Sequence, residues 1–199
     1  MYRDKKRFGQ DPETVVRSKP ATFTAPMKWK DPARVFVCSW SDFFIEDADQ
    51  WRDEAWEIMR RTPHLTYMLL TKRPENIKDR LPAYWPLKNV WLGVTAENQL
   101  KFYDRVFLLK TIGHGAAGLF VSVEPMLESI YSACLNGIDW VICGGESGPN
   151  ARPISPHCVR LLRDQCEAAR VPFFFKQWGP KNGGRLLDGK EYLQLPEGM

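Results

Sequence analysis

Six times along this chain a short apolar run ends in groups that can hydrogen-bond, carry charge or move a proton. The runs cover residues 34–38, 65–70, 89–94, 118–123, 139–143 and 171–175. The first three give way to Ser39-Trp40-Ser41-Asp42, Thr71-Lys72-Arg73 and Thr95-Ala96-Glu97-Asn98. The last three give way to Ser122-Val123-Glu124-Pro125, Gly144-Gly145-Glu146-Ser147-Gly148 and Lys176-Gln177-Trp178-Gly179. One polar strand end means little, because every strand must exit to a loop. Six in succession, several with Glu or Lys directly after the run, point to a polar site. In parallel α/β folds that edge is where ligands bind.

Within this set Glu124, Lys176 and Glu146 are the candidates for catalysis. The alternation Phe120-Val121-Ser122-Val123 turns Glu124 inward. There it can act as a coupled acid or base, or simply form an ion pair with Lys72 or Lys176. Glu146 lies in the glycine-rich stretch 144–148, where Gly144 and Gly145 permit either close backbone approach to a ligand or a tight turn with none. Neither G-x-G-x-x-G nor G-K-[ST] is present. Arg152 can clamp an anion or pair with Glu146. Ser41, Asp42, Lys72, Arg73, Glu97, Asn98 and Gln177, with Gly144, Gly145 and Arg152, are the candidates for gripping a cofactor.

Other chemistries find little. His64, His114 and His157 lie at a strand start, in a glycine loop and in a first helical turn, so a Ser-His-Asp or Cys-His device is not expected. The five cysteines, Cys38, Cys134, Cys143, Cys158 and Cys166, have neither C-x-x-C nor zinc spacing. Cys38 and Cys143 sit in apolar runs and are expected to be small buried hydrophobes.

Each apolar run is nearly continuous, as expected of strands covered on both faces. Helical periodicity fills the intervals at 47–61, 74–81, 98–112, 127–135 and 155–170. Asp47 with Gln50, Asn98, and Ser155 followed by Pro156 supply the helix-start signals. The resulting β-α alternation predicts an α/β fold: a parallel (β/α) barrel or partial barrel with six strands, with an open doubly wound sheet also compatible. Pro12, Pro20 and Pro26 interrupt the opening residues, where 18–26 is expected to be extended. The organisation expected is a basic extended segment over 1–33, the barrel over 34–180 and a tail over 181–199.

Length and composition, 199 residues with 44% hydrophobic and 26% charged, fit one globular domain. Most of the eight tryptophans are expected in the core. Nine of the 28 Lys/Arg but only four of the 24 Asp/Glu fall in residues 1–34, so that segment stands at +5 and the rest at −1. A solvated arm and a nucleic-acid contact both fit it. No apolar run approaches the roughly 20 residues of a membrane span. The odd cysteine count and the lack of a signal peptide point to the cytoplasm.

Read in order, the motifs Phe36-Val-Cys-Ser-Trp-Ser-Asp42, Leu70-Thr-Lys-Arg-Pro74, Trp91-Leu-Gly-Val-Thr-Ala-Glu-Asn98, Val121-Ser-Val-Glu-Pro125, Trp140-Val-Ile-Cys-Gly-Gly-Glu-Ser-Gly-Pro-Asn-Ala-Arg-Pro153 and Phe173-Phe-Phe-Lys-Gln-Trp-Gly179 resemble the phage-associated three-cysteine-motif family. The resemblance covers roughly residues 14–180. It implies a divergent radical S-adenosylmethionine barrel, in which three cysteines after a first strand hold a 4Fe–4S cluster that cleaves S-adenosylmethionine. The cysteine loop has no counterpart here. The expectation is therefore an N-terminally truncated member, lacking the family's first strand and inactive in cluster chemistry. An unpaired edge beside residues 34–38 would then promote self-association. Two alternatives remain: a hydrolase using Glu124 with Glu97 or Glu146, and a non-catalytic module that binds nucleic acid or protein.

Overall fold

The computed structural model describes residues 14–148, 150–179 and 184–199. Its frame is six parallel strands: β1 (Ala33–Val37), β2 (Leu65–Thr71), β3 (Val90–Thr95), β4 (Gly118–Val123), β5 (Trp140–Gly144) and β6 (Phe173–Gln177). They lie side by side in chain order, each hydrogen-bonded to its sequence neighbours. The sheet curls into a half-barrel, which resolves the choice between barrel and open doubly wound sheet. A doubly wound sheet reverses strand order at a switch point, and here the order never reverses.

Helices return the chain between strands on the convex side. After the four-residue turn α1 (Pro20–Phe23) come α2 (Asp49–Arg61), α3 (Gln99–Ile112) and α4 (Pro156–Ala168). Trp56 and Met59 of α2, Phe102, Val106 and Leu109 of α3, and Val159, Leu162 and Cys166 of α4 are buried. They pack with the outward residues of the strands, among them Leu69, Leu92, Val94, Val121, Val141, Phe173 and Phe175, into one large core. β3 is buried at every position, as a strand covered on both faces must be. β1, at the edge, is exposed or half-buried throughout.

The concave side carries a smaller cluster of Met68, Trp91, Phe120 and Trp140, with Leu70, Ile142, Phe174 and Met199 against it. Two glycines make room for these rings. A Cβ on Gly93 would meet the Phe120 ring at 2.4 Å, and one on Gly118 the Trp91 ring at 2.5 Å. The chain's end closes this layer: Trp140 Nε1 donates to the Gln194 carbonyl at 2.9 Å. The same tail shields the edge of β6, where Phe175 N donates to Tyr192 O at 2.7 Å and Phe174 bridges Leu193 antiparallel. A small hairpin, β7 (Leu186–Leu187) and β8 (Lys190–Glu191), precedes it. Asp188 at its turn binds Arg160 at 2.6 Å and Arg163 at 2.9 Å, docking the hairpin on α4.

Several local expectations give way. Residues 127–135 form no helix. Their backbone is tied instead by neighbours: Leu127 N to Glu97 O at 2.9 Å, Ser132 N to Gln99 Oε1 at 3.0 Å, and Ala133 N to Gln165 Oε1 at 2.8 Å. Residues 74–81 make two 3₁₀ turns, Pro74–Asn76 and Lys78–Arg80, rather than one helix. The expected extended stretch 18–26 contains α1 and the start of a 3₁₀ turn at Ala25–Lys28. The Asp47–Gln50 cap pair is not used: α2 begins at Asp49, which pairs with Arg52 and Arg80. Arg52 is buried and also holds the carbonyls of Phe43 and Ile45 at 3.1 and 2.7 Å. Cys38 is exposed with φ 57°, because β1 ends before it, whereas Cys143 is buried as expected. Residues 1–13 and 180–183 of the expected arm, barrel end and tail lie outside the described residues.

Candidate functional site

Parallel strands bring all six polar ends to one edge, and hydrogen bonds sort them into three groups. At the first, Asp42 leaves β1 and reaches β2. Its carboxylate accepts from Thr71 Oγ1 at 2.8 Å, from the Phe44 and Lys72 N–H groups at 2.9 and 3.0 Å, and from Arg73 Nη1 at 3.3 Å. Asp42 thus braces two loops. The Lys72 ammonium meets the Glu97 carboxylate beyond β3, and Arg105 holds the other oxygen at 2.9 Å. Burial pushes the Glu97 carboxyl up, but the hydrogen bond from Lys72 and the charges of Lys72 and Arg105 outweigh it and hold the group below the usual carboxylate range. Asn98 caps α3, its Oδ1 accepting from Lys101 N at 2.8 Å.

The second group spans β4, β5 and β6. Cys143 pairs with Phe175 and Gly144 with Gln177, so Lys176 is the extra residue of a bulge. The Lys176 ammonium lies 2.8 Å from Glu124 Oε1 and 3.0 Å from Oε2. Gly144 sits beneath the pair: a Cβ there would touch Lys176 Cβ at 3.4 Å and Glu124 Cδ at 3.5 Å. The Lys176 side chain is 51% exposed and that of Glu124 20%, so the pair is reachable from solvent.

The third group is the loop after β5. Glu146 takes Arg152 in a forked pair, Nε at 2.8 Å and Nη2 at 2.8 Å, and the Arg152 N–H at 2.9 Å. Those Arg152 side-chain and backbone bonds bring the Glu146 carboxyl down to about 2. Gln177 Nε2 donates to Ser147 Oγ at 2.7 Å. Gly145 is required by the chain itself: a Cβ would lie 2.0 Å from Trp178 O. Ser41 follows the turn closed by its N–H on Cys38 O at 2.9 Å.

Sequence reading missed Arg105, the second partner of Glu97. Its signal was placement eight residues beyond that carboxylate, in the helix that the strand end feeds. It also missed a cleft of about 730 Å³ beside β1, lined by Trp29, Phe36, Trp40 and Trp51 among others. Nothing in their spacing links these aromatics.

Cys143 and Cys166 are buried, and burial raises both thiols, Cys166 to about 12, so they stay protonated. Among the described residues no three His, Cys, Asp or Glu side chains are grouped to hold a metal. The profile of one family, described as a protein of unknown function, matches residues 1–196. The chain belongs to the DUF5131 family. The DUF5131 match runs past both ends of the 14–180 span over which motifs were legible. No curated protein and no solved structure matches the chain. No helix among the described residues of this DUF5131 protein is long and apolar enough to cross a membrane.

Proposed function

We propose that this protein binds a small zwitterion of the S-adenosylmethionine class at the mouth of its half-barrel, as a divergent relative of radical S-adenosylmethionine enzymes of the phage-associated kind. The observation that carries this reading is the accessible Glu124–Lys176 pair poised over Gly144. An α-amino acid head group carries the complementary charges. Its ammonium can replace Lys176 at the Glu124 carboxylate while its carboxylate engages Lys176, so neither protein charge is left unpaired. Ile142 and Phe174, on the concave face below, offer apolar surface to the rest of such a ligand. In the full reaction of that class a cluster supplies the electron for cleavage, and no step through it is assigned to this chain's residues. Their part is to bind and orient the amino acid group.

The hydrolase alternative finds less support. A carboxyl that serves as general acid needs a raised pKa, and Glu97 and Glu146 are both held below the usual range.

Calorimetric titration with S-adenosylmethionine and S-adenosylhomocysteine tests the reading, since both carry the same head group. Saturable binding of both is expected. Glu124→Gln or Lys176→Met should weaken it by about tenfold or more, with thermal melting unchanged. Absence of binding, or affinity indifferent to both substitutions, overturns the assignment.

A further inference from the structure

Six polar or charged side chains are buried among the described residues: Arg52, Thr62, Thr71, Thr95, Ser122 and Ser129. Buried polar groups are normally hydrogen-bonded, and four of these are. Arg52 holds Asp49 and two carbonyls. Thr62 Oγ1 donates to Ile58 O at 2.7 Å, Thr71 Oγ1 donates to Asp42 at 2.8 Å, and Ser129 Oγ lies 3.0 Å from Cys158 Sγ. The hydroxyls of Thr95 and Ser122, each residue 4% exposed, have no hydrogen-bond partner among the described residues. Neither oxygen is sealed off, since the shielded side-chain atom without a partner is Arg17 Nε. The two hydroxyls are neighbours: Thr95 of β3 and Ser122 of β4 are register partners, on strands about 4.8 Å apart. Val94, Ala96, Val121 and Val123, which flank them in sequence, belong to the main core. Alternation therefore turns Thr95 and Ser122 to the concave face.

We propose that Thr95, Ser122 and Lys72 form a subsite for an oxyanion, the phosphate or carboxylate group of a bound small molecule. Charge selects the anion. Two residues beyond Thr95, the Glu97 carboxylate is held by both Lys72 and Arg105. Their bonds and charges keep Glu97 ionised, and two cations against one carboxylate leave an excess positive charge. Arg105 is mostly covered, whereas the Lys72 side chain is 52% exposed. An ammonium has three donors, and Glu97 takes one of those on Lys72. The rest, with two hydroxyl donors on the floor of the mouth, suit oxygens that carry negative charge, where hydrogen bonds are strongest. A neutral polyol would leave the excess charge unanswered, and an ammonium would be repelled by it. Ile142, the register partner of Ser122 on β5, and Phe120 below supply no competing polar group. The subsite is separate from the neutral Glu124–Lys176 pair and does not rest on what that pair binds.

The test titrates inorganic phosphate, acetate and glycerol into the whole protein at low ionic strength. Proton–nitrogen NMR follows it, with the amide signals of Thr95 and Ser122 reporting the site. Saturable binding of phosphate or acetate that weakens with added salt is expected, and the tighter of the two names the anion. Thr95→Val combined with Ser122→Ala should weaken it about tenfold or more, and so should Lys72→Met. Thermal melting should stay unchanged in both. Thr95→Ser keeps the hydroxyl and should keep the affinity that Thr95→Val loses, a contrast that altered packing alone would not produce. That contrast decides the matter if the double variant melts below the parent. Binding of neither anion overturns the proposal, as does affinity indifferent to the loss of both hydroxyls. Glycerol bound more tightly than either anion also overturns it, and assigns the hydroxyls to a neutral polyol.

Discussion

Glu146 and Glu124 are both carboxylates at strand ends facing cations, yet the two pairs suit different work. Glu146 is gripped by three donors from one residue, Arg152, which closes the loop after β5. Its carboxyl stands at about 2 against an ordinary 4.5. A lowered folded pKa means that the pair favours the folded loop at pH above the ordinary value, and that this contribution fades as pH falls toward about 2. Arg152→Ala should return the Glu146 carboxyl to the ordinary range. A carbon-detected NMR titration should then show it protonating near pH 4.5 rather than staying ionised below it. Glu124 instead meets the half-exposed Lys176 ammonium above Gly144.

At the scale of elements, the strands are positioned by where side chains are missing as much as by where they pack. Gly93 of β3 lies under the Phe120 ring of β4, and Phe120 is fully buried. Gly93→Ala should destabilise the fold by about 1–3 kcal/mol through overpacking, read as a lower urea midpoint. Phe120→Leu in the same chain should recover part of that loss. Gly184→Ala, whose Cβ would meet no atom of the described residues within 4 Å, should stay within about 0.5 kcal/mol of the parent. Gly145 answers to the backbone of Trp178, so the glycine pair after β5 lets the chain approach itself.

For the whole molecule, a half-barrel leaves two problems that a closed barrel does not have: two sheet edges and an uncovered concave face. The C-terminal residues address one edge and part of the face, through Tyr192, Gln194 and Met199. Removing residues 192–199 should expose the β6 edge and free the Trp140 indole from its carbonyl. A lower melting temperature, a red-shifted tryptophan emission and aggregation on concentration are expected. Unchanged melting and solubility would mean that the tail merely lies on a sheet stable without it.

The six parallel strands were legible because apolar runs covered on both faces leave a periodic mark in sequence, whereas their order in the sheet, open in sequence between barrel and doubly wound forms, was decided by the structure. The polar edge was legible for the same reason: parallel strands all end on one side. Helical periodicity misled at 127–135, where Gln99 and Gln165, over thirty residues away in the chain, satisfy the backbone that a helix would otherwise satisfy. Sequence offered Lys72 and Lys176 alike as partners for Glu124. The choice of Lys176 needed the β5–β6 bulge and the bare Gly144 beneath it. Curvature into a half-barrel and the cleft beside β1 lay beyond local pattern, because they depend on how many strands close together and on which edge is left over. Sequence alone determined the strands and the chemistry at their ends; only the tertiary structure decided which charges neutralise one another and which stay open to solvent, because pairing is settled by distances across neighbouring strands.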